Sequence, residues 1–519
     1  MRTALALIVA AAACGGSDRP ATDAPLPDAP PPTCAAFTPG PGGIHRGELA
    51  ADLTLATVDG AGLSLSSTWT GCESYLFVPD AIPVSGLDAT SVWEHDVDAL
   101  LAATPHTAHL VFVPTRADGA GAAMQARLDA ATAALPAADA AYWRSHLHVA
   151  AAPVGQLGSW LDDALAGPER NGLAIDHAQR IRGLGHLADV TRFDPALQSA
   201  SQWPWKANLA YLAHEIEYLD AEAVTAAALA ADGATVVPLW QAATIGTTAS
   251  VDVTLPDLTG FDHLDVEITL ACPDPTRTEL ASCGAWDYLA QLTVTTPHGE
   301  QELTRAITPY HRGAHWVIDA TPLLPLLATG AAHFTWTAAP SWNPQPTVTT
   351  IALRFGHRGG ARPVDATTLF TGGAFDATYD TGRAPVPVVI PADATRVGLV
   401  VLATGHGGAT DNCAEFCDHT HEFTVGTTVH TVTFPAAGTD TGCMAAIADG
   451  MTPNQGGTWW FGRAGWCPGG PVALHRIDVT ADVVPGTPVA VSYRGLYAGA
   501  PPTVDRGNLA LSSWLVVYR

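Results

Sequence analysis

The feature that most constrains this chain is the texture of its later half. From about residue 235 to 519 it runs as short segments: TASVDVTLP, HLDVEITLAC, YLAQLTVTTP, TVTTIALRFG, RVGLVVLATG, HEFTVGTTVHTVTFP, HRIDVTADVVPG, PVAVSYRGL and SSWLVVYR. Each alternates apolar with polar or β-branched residues. A period of two puts successive side chains on opposite faces of a strand. Turn signals separate the runs at roughly 8 to 12 residues, the spacing of a β-sandwich. Gly 49 and Pro 40 suit many turns between short strands. So long a stretch exceeds one sandwich core and is enough for two. The weakly patterned RGGARPVDATTLFTGGAFDATYDTGRAPVP is where they are expected to divide, giving domains at 235–385 and 386–519.

Residues 34–234 read differently. ADLTLATVDG, SYLFVPD and AHLVFVP have the character of strands, whereas GAAMQARLDAATAALPAADAAYWRSH and NLAYLAHEIEYLDAEAVTAAALAAD carry helical spacing. Alternating β and α implies an α/β layer. GLAIDHAQRIRGLG looks like the late hairpin of a thioredoxin-like or peroxiredoxin-like domain, and ATVDGAGLSLSSTW like the entry of one. The redox Cys-x-x-Cys is missing, so a redox-inactive accessory domain is expected.

The chain begins MRTALALIVAAAACGGSDRP: one Arg, a short apolar run, small residues, then Cys14. The run is shorter than the roughly 20 residues that span a bilayer and has the form of a secretory signal. Small residues before a cysteine resemble a bacterial lipoprotein signal, with Ala11 standing where Leu is usual. Residues 1–14 are therefore read as a signal peptide, Cys14 as the lipid-bearing residue, and Pro-rich 15–33 as a linker. The expected location is exported and membrane-anchored.

An exported chain with paired cysteines implies disulfides. Of Cys 9, removing Cys14 leaves an even set. Eight cysteines allow 105 pairings, so arithmetic alone does not choose. Proximity along the chain suggests Cys34–Cys72, Cys272–Cys283, Cys413–Cys417 and Cys443–Cys467. The formal net charge of −26 repels a phosphate backbone and argues against nucleic acid as a partner.

Two acidic residues stand in unusually fixed settings. Asp287 follows Trp286 just after Cys272 and Cys283, at the rim of a predicted strand. Glu415 is trapped within CAEFC. Placement this tight suits a general base or nucleophile, where misplacement by an ångström is costly. A strand-start Asp in a turn is the plainer reading of Asp287 by itself. Near Glu415 in sequence lie His406 in ATGHGG, His419 and His421 in DHTHEFTV, and Arg463 and Trp466 in FGRAGWCPGG. Two carboxylates with an Arg and a Trp could form an acid/base site for a sugar-linked substrate, the two pKa values split by environment. No cofactor and no metal enter this reading.

CGAWDY, AITPYHRG, WVIDAT, ATGHGG, CAEFCDHTHEF, DTGC, GRAGWCPGG and HRIDVT occur in that order over residues 235–519. The series resembles the bacterial peptide:N-glycosidase F family. The resemblance implies two adjacent antiparallel jelly-roll β-sandwiches with a site in the cleft between them. It implies three of the four disulfides above, all but Cys34–Cys72. It also implies cleavage of the amide between N-acetylglucosamine and asparagine on N-linked glycoproteins, leaving aspartate and a glycosylamine. By that resemblance Asp287 is the principal catalytic acid and Glu415 the second. It also implies that Arg463 and Trp466 hold the first sugar and the peptide link; Trp286 and His406, set beside the two acids, are further substrate-binding candidates.

There are departures from the family pattern. The strand after the LL run, LLATGAAHFTWTAAPSW, offers no third acid. Tyr288 stands where an Arg follows the WD pair, Phe416 where CAE is followed by Trp, and Thr404 where a Trp precedes GH. Two other readings remain. One is a lipid-tethered glycan binder without turnover. The other is a copper- and ascorbate-dependent monooxygenase, whose architecture is similar and for which His419 and His421, with His311 and His315, would supply imidazoles. Without copper, the His-x-His is expected to face solvent.

Overall fold

The computed structural model describes residues 34–44, 48–80, 93, 97–98, 101, 104, 106–166, 172–185, 209–273, 283–408, 410–439, 442–453, 455 and 458–519. The signal peptide, Cys14 and the linker read from residues 1–33 lie outside them. The molecule is mostly β. Among the described residues no helix is long and apolar enough to cross a membrane.

The N-terminal part is an α/β layer. Its five-stranded sheet runs Leu147–Val149, Ala108–Val113, Ser74–Pro79, Gly172–Ile175, Ile181–Gly185. The first three strands are parallel; the last two form an antiparallel hairpin, the expected GLAIDHAQRIRGLG. SYLFVP and AHLVFV are buried along their whole length, as strands covered on both faces must be. Leu76, Leu110 and Phe112 pack on one side against Met124, Leu128 and Trp143 of the helices Ala120–Ala134 and Ala137–His146. Tyr75, Phe77 and Val111 pack on the other against Leu53, Leu161 and Ile175.

Each sandwich pairs two four-stranded sheets. In the first, one sheet is ordered Ala314–Asp319, His263–Ala271, Thr347–Gly356, Thr235–Ile245, and the other Gly299–Ile307, Leu289–Thr296, Gly330–Thr337, Thr248–Leu255. In the second they are Pro363–Ala374, Asn508–Tyr518, Arg396–His406, His475–Asp478 and Val386–Val389, Pro488–Tyr497, His419–Val425, Thr428–Val432. Every pairing in these sheets is antiparallel. Strand Pro363–Ala374 precedes the boundary expected at 385, yet it pairs with Asn508–Tyr518 and so belongs to the second sandwich. Its Thr- and Gly-rich sequence hid it, because an edge strand with little apolar surface reads as a loop.

The two sandwiches share a core. Val400, Leu402, Trp514 and Val516 of the second pack in one cluster with Ala290, Leu292, Leu303 and Trp336 of the first. Arg305, 1% exposed, crosses the junction: Nε and Nη2 donate to Glu302 Oε1 and Oε2 at 2.8 and 2.7 Å, and Nη1 to Thr404 Oγ1 and the Ala510 carbonyl at 2.9 and 2.6 Å. Helix Leu209–Ala231 leads from the α/β layer onto this assembly. Glu222 meets His315 at 2.7 Å, and the Leu229 carbonyl accepts from Arg354 at 2.7 Å. Tyr218 joins the cluster of Cys443, Ile447, Met451, Trp459 and Trp460.

Candidate active site

Asp287 sits in the turn that opens Leu289–Thr296, and the neighbouring strand fixes that turn. Thr308, just past Gly299–Ile307, donates its hydroxyl to the Trp286 carbonyl at 2.7 Å and accepts from the Tyr288 backbone N–H at 2.8 Å. The Thr308 N–H also donates to the Tyr288 carbonyl at 2.9 Å. Both flanks of Asp287 are thus held by one residue. The Cys272–Cys283 bridge, Cα–Cα 4.8 Å, closes the preceding loop. His311 holds a left-handed φ of 60°; its N–H donates to the Gly284 carbonyl at 2.7 Å, which ties the chain of Thr308 to the chain of Asp287.

CAEFC forms a single helical turn, Cys413–Phe416, bridged to Cys417 with Cα–Cα 4.6 Å. The turn is pinned from three sides. The Ala464 N–H donates to the Glu415 carbonyl at 2.7 Å, and the Ala414 N–H to the Arg506 carbonyl at 2.8 Å. His419 Nε2 donates to the Ala414 carbonyl at 2.9 Å. Gly405 lies so close to that carbonyl that a Cβ there would clash with it. The Gly407 N–H donates to Glu415 Oε2 at 2.9 Å, so ATGHGG supplies both the space and a donor.

Arg463 joins the two acids. Its Nε is 3.4 Å from Glu415 Oε1 and its Nη2 is 3.6 Å from Asp287 Oδ2. Arg463 is 3% exposed and its guanidinium is held from behind: Nη1 donates to the Thr458 and Phe461 carbonyls at 3.0 and 2.7 Å, and Nη2 to Thr458 Oγ1 at 2.9 Å. It lies 4.9 Å from the Trp466 ring centre. Gly465, at φ +81°, brings its backbone against the Ala403 carbonyl, a conformation suited to glycine. Cys443–Cys467 anchors the far end of this loop.

The sequence did not single out Tyr310, although it lies in AITPYHRG. Its hydroxyl bonds to Asp287 and lies 3.4 Å from Arg463 Nη2, while its N–H donates to Gln455 Oε1 at 2.8 Å. It sits at the meeting point of the two sandwiches. Burial, then the charge of Asp287, pushes its own pKa well up, so it is a donor. Burial also pushes the Asp287 carboxyl upward, opposed by Arg463 and by the Tyr310 hydrogen bond. Glu415 is raised by burial, lowered by Arg463, and raised again by the charge of Asp287.

Other expected residues take supporting places. Trp466 is 6% exposed and donates Nε1 to the Gly405 carbonyl at 2.6 Å, so its ring lies beneath Arg463 and offers no open face. His406 stacks on it at 5.4 Å and bonds to Thr404 Oγ1 at 2.9 Å. Burial holds the His406 pKa down to about 3, and the ring is neutral. The open aromatic faces near Asp287 are Trp286, 53% exposed, and Trp342, 76% exposed. Trp342 meets Tyr288 edge-on at 5.9 Å, and Asn343 donates to the Tyr288 hydroxyl at 2.7 Å. Trp342 lies in TAAPSW, a stretch whose pattern marks no site residue.

His419 and His421 face the core rather than solvent. Phe434 packs against both, His421 Nδ1 pairs with the Tyr493 hydroxyl at 2.8 Å, and burial lowers both pKa values. Among the described residues neither belongs to a group of three or more converging metal donors. His315 is engaged by Glu222 and Glu267. The strand alternation places His419 and His421 inward because Phe423 and Val425 share their face.

Residues 374–516 match the family model described as peptide-N-glycosidase F, C terminal. Over those residues the chain is similar to that family. Solved structures similar to it include a peptide-N(4)-(N-acetyl-beta-D-glucosaminyl)asparagine amidase, at 18% identity over 55% of this chain and 96% of that one, TM-score 0.45. PNGase F, a glycosylasparaginase from Flavobacterium meningosepticum, has the same identity and coverage at TM-score 0.43. PNGF-II is 12% identical over 67% of this chain and 74% of its own, TM-score 0.42. No curated protein matches the sequence.

Proposed function

We propose that the protein is an exported amidase that cleaves the N-acetylglucosamine–asparagine amide of N-linked glycopeptides. The observation that carries this reading is the triad itself: two partly buried carboxylates from different sandwiches on one buried guanidinium. Asp287 is the base that takes a proton from water as the water oxygen attacks the side-chain carbonyl carbon. Glu415, its pKa raised by burial and by the charge of Asp287, gives its proton to the amide nitrogen as the C–N bond breaks. Aspartate and a glycosylamine result. Arg463 keeps the two acids in register, and the Tyr310 hydroxyl donates to Asp287. Trp286 and Trp342 offer apolar faces on which a pyranose C–H surface can rest. Export and a lipid anchor at Cys14 complete the proposal and place the site outside the cytoplasm.

The chain, incubated with a denatured N-glycosylated peptide, should release the glycan and convert that Asn to Asp, read by mass spectrometry. Binding without release would favour the second reading, a tethered glycan binder. The absence of a third acid from LLATGAAHFTWTAAPSW speaks for that one. Neither binding nor release would end both.

A further inference from the structure

A second cluster of ionisable side chains lies in the α/β layer, away from the acids above. Glu73 follows Cys72 at the start of strand Ser74–Pro79. His109 is on Ala108–Val113, and His146 ends helix Ala137–His146. His146 Nε2 is 2.8 Å from Glu73 Oε1, and His109 Nε2 is 3.5 Å from Glu73 Oε2. One donor atom from each of the three lies within 4.8 Å of the others.

The protonation pattern is set by the surroundings. His146 Nδ1 lies 2.6 Å from the Tyr142 carbonyl, which only accepts, so Nδ1 carries the hydrogen. Its Nε2 lone pair then faces a carboxylate oxygen, an arrangement that requires a proton or a cation between them. His109 Nδ1 lies 3.2 Å from His148 Nε2, which leaves His109 Nε2 with no hydrogen-bond partner in a residue 4% exposed. Tyr142 stacks on His146 at 3.8 Å and Tyr75 on His109 at 4.4 Å, so neither ring is free to turn away.

We propose that Glu73, His109 and His146 bind one divalent transition-metal ion of the zinc class, with His148 fixing the His109 tautomer. Two imidazoles and a carboxylate suit zinc rather than calcium or magnesium, which prefer oxygen ligands. Metal–ligand distances of about 2.0–2.2 Å let a single ion sit between atoms spaced as these are. The carbonyl behind His146 is a usual outer partner of a metal-binding histidine, and the His148 imidazole takes that place behind His109.

The test uses the full chain, stripped with a chelator and dialysed against zinc. Elemental analysis should find one zinc per chain, and zinc should raise Tm. Glu73→Gln and His146→Gln, both at partly exposed positions, should weaken zinc binding at least about tenfold while circular dichroism reports a folded chain. Cobalt in place of zinc should give a visible spectrum that Glu73→Gln changes. His109→Gln is a core change, and the other two variants carry the test if it does not fold. No stoichiometric zinc in the wild type would make the cluster a proton-sharing ion pair. Zinc held as tightly by both folded variants would place the ion elsewhere. Either result overturns the proposal.

Discussion

Arg463 Nε stands 3.4 Å from Glu415 Oε1, and the same guanidinium reaches Asp287 Oδ2 at 3.6 Å. One buried cation therefore serves two carboxylates. With both ionised the group carries a net negative charge out of water; with one protonated it is neutral. Desolvation favours the neutral arrangement, and it is the largest influence on each acid.

Asp287→Asn keeps the shape and removes the base. Turnover on a glycopeptide should fall by about 10²–10⁴, the usual contribution of a positioned general base. Tm should stay within a few degrees, because the turn is held by backbone bonds to Thr308. Full turnover in this variant would sink the assignment.

Glu415→Gln tests the coupling through pH. A carboxyl raised in the folded state keeps a proton that the unfolded chain has lost. Its contribution to stability therefore falls as pH rises from the ordinary carboxylate value, about 4, through the higher folded value. The variant lacks this loss. Stability of the variant relative to wild type should therefore increase as pH rises from about 4. A relative Tm that is flat or falling over that range would contradict the burial argument.

How much of this was legible in sequence differs by residue. The sandwich strands announced themselves by alternation, and motif order pointed to Asp287, Glu415 and Arg463, which the structure brings together. Tyr310 escaped because a tyrosine between Pro309 and His311 has no pattern of its own; only the approach of Gln455 gives it a place. Trp466 was expected to face substrate, but sequence does not tell which face of a loop ring is covered, and Gly405 and Arg463 cover it. The strand Pro363–Ala374 was missed because edge strands need little apolar surface. The Glu73 cluster draws on three separate elements and leaves no spacing to read.

The Cys413–Cys417 bridge spans a sequence separation of 4, against 24 for Cys443–Cys467. Chain entropy assigns about 2 kcal/mol to so short a loop and about 3.5 kcal/mol to the longer one. Replacing Cys413 and Cys417 with Ser should therefore cost activity more than stability, because the turn that aims Glu415 loosens. Thermal denaturation beside a rate assay decides it; a Tm loss larger than that from removing Cys443–Cys467 would contradict it.

Trp342→Ala removes the most open aromatic face near Asp287. It should raise KM about tenfold, worth about 1.4 kcal/mol, with kcat and Tm nearly unchanged. A matching loss in kcat would instead mean that Trp342 supports Tyr288 and the turn of Asp287.

Arg305→Met strikes the junction that keeps the sandwiches in register. It leaves Glu302 buried with Gln291 and Ser512 as its remaining partners, at 2.7 Å each. Removing one partner of a buried pair costs about 3–5 kcal/mol, whereas replacing both with apolar residues costs far less. The double change Arg305→Met with Glu302→Met should thus be more stable than Arg305→Met alone in urea denaturation. Activity should fall in both, because Arg305 holds Thr404, Thr404 holds His406, and His406 stacks under the Trp466 that supports Arg463. Recovery of stability without recovery of activity in the double variant is the outcome that this chain of contacts requires. Full activity there would break the link between the junction and the site.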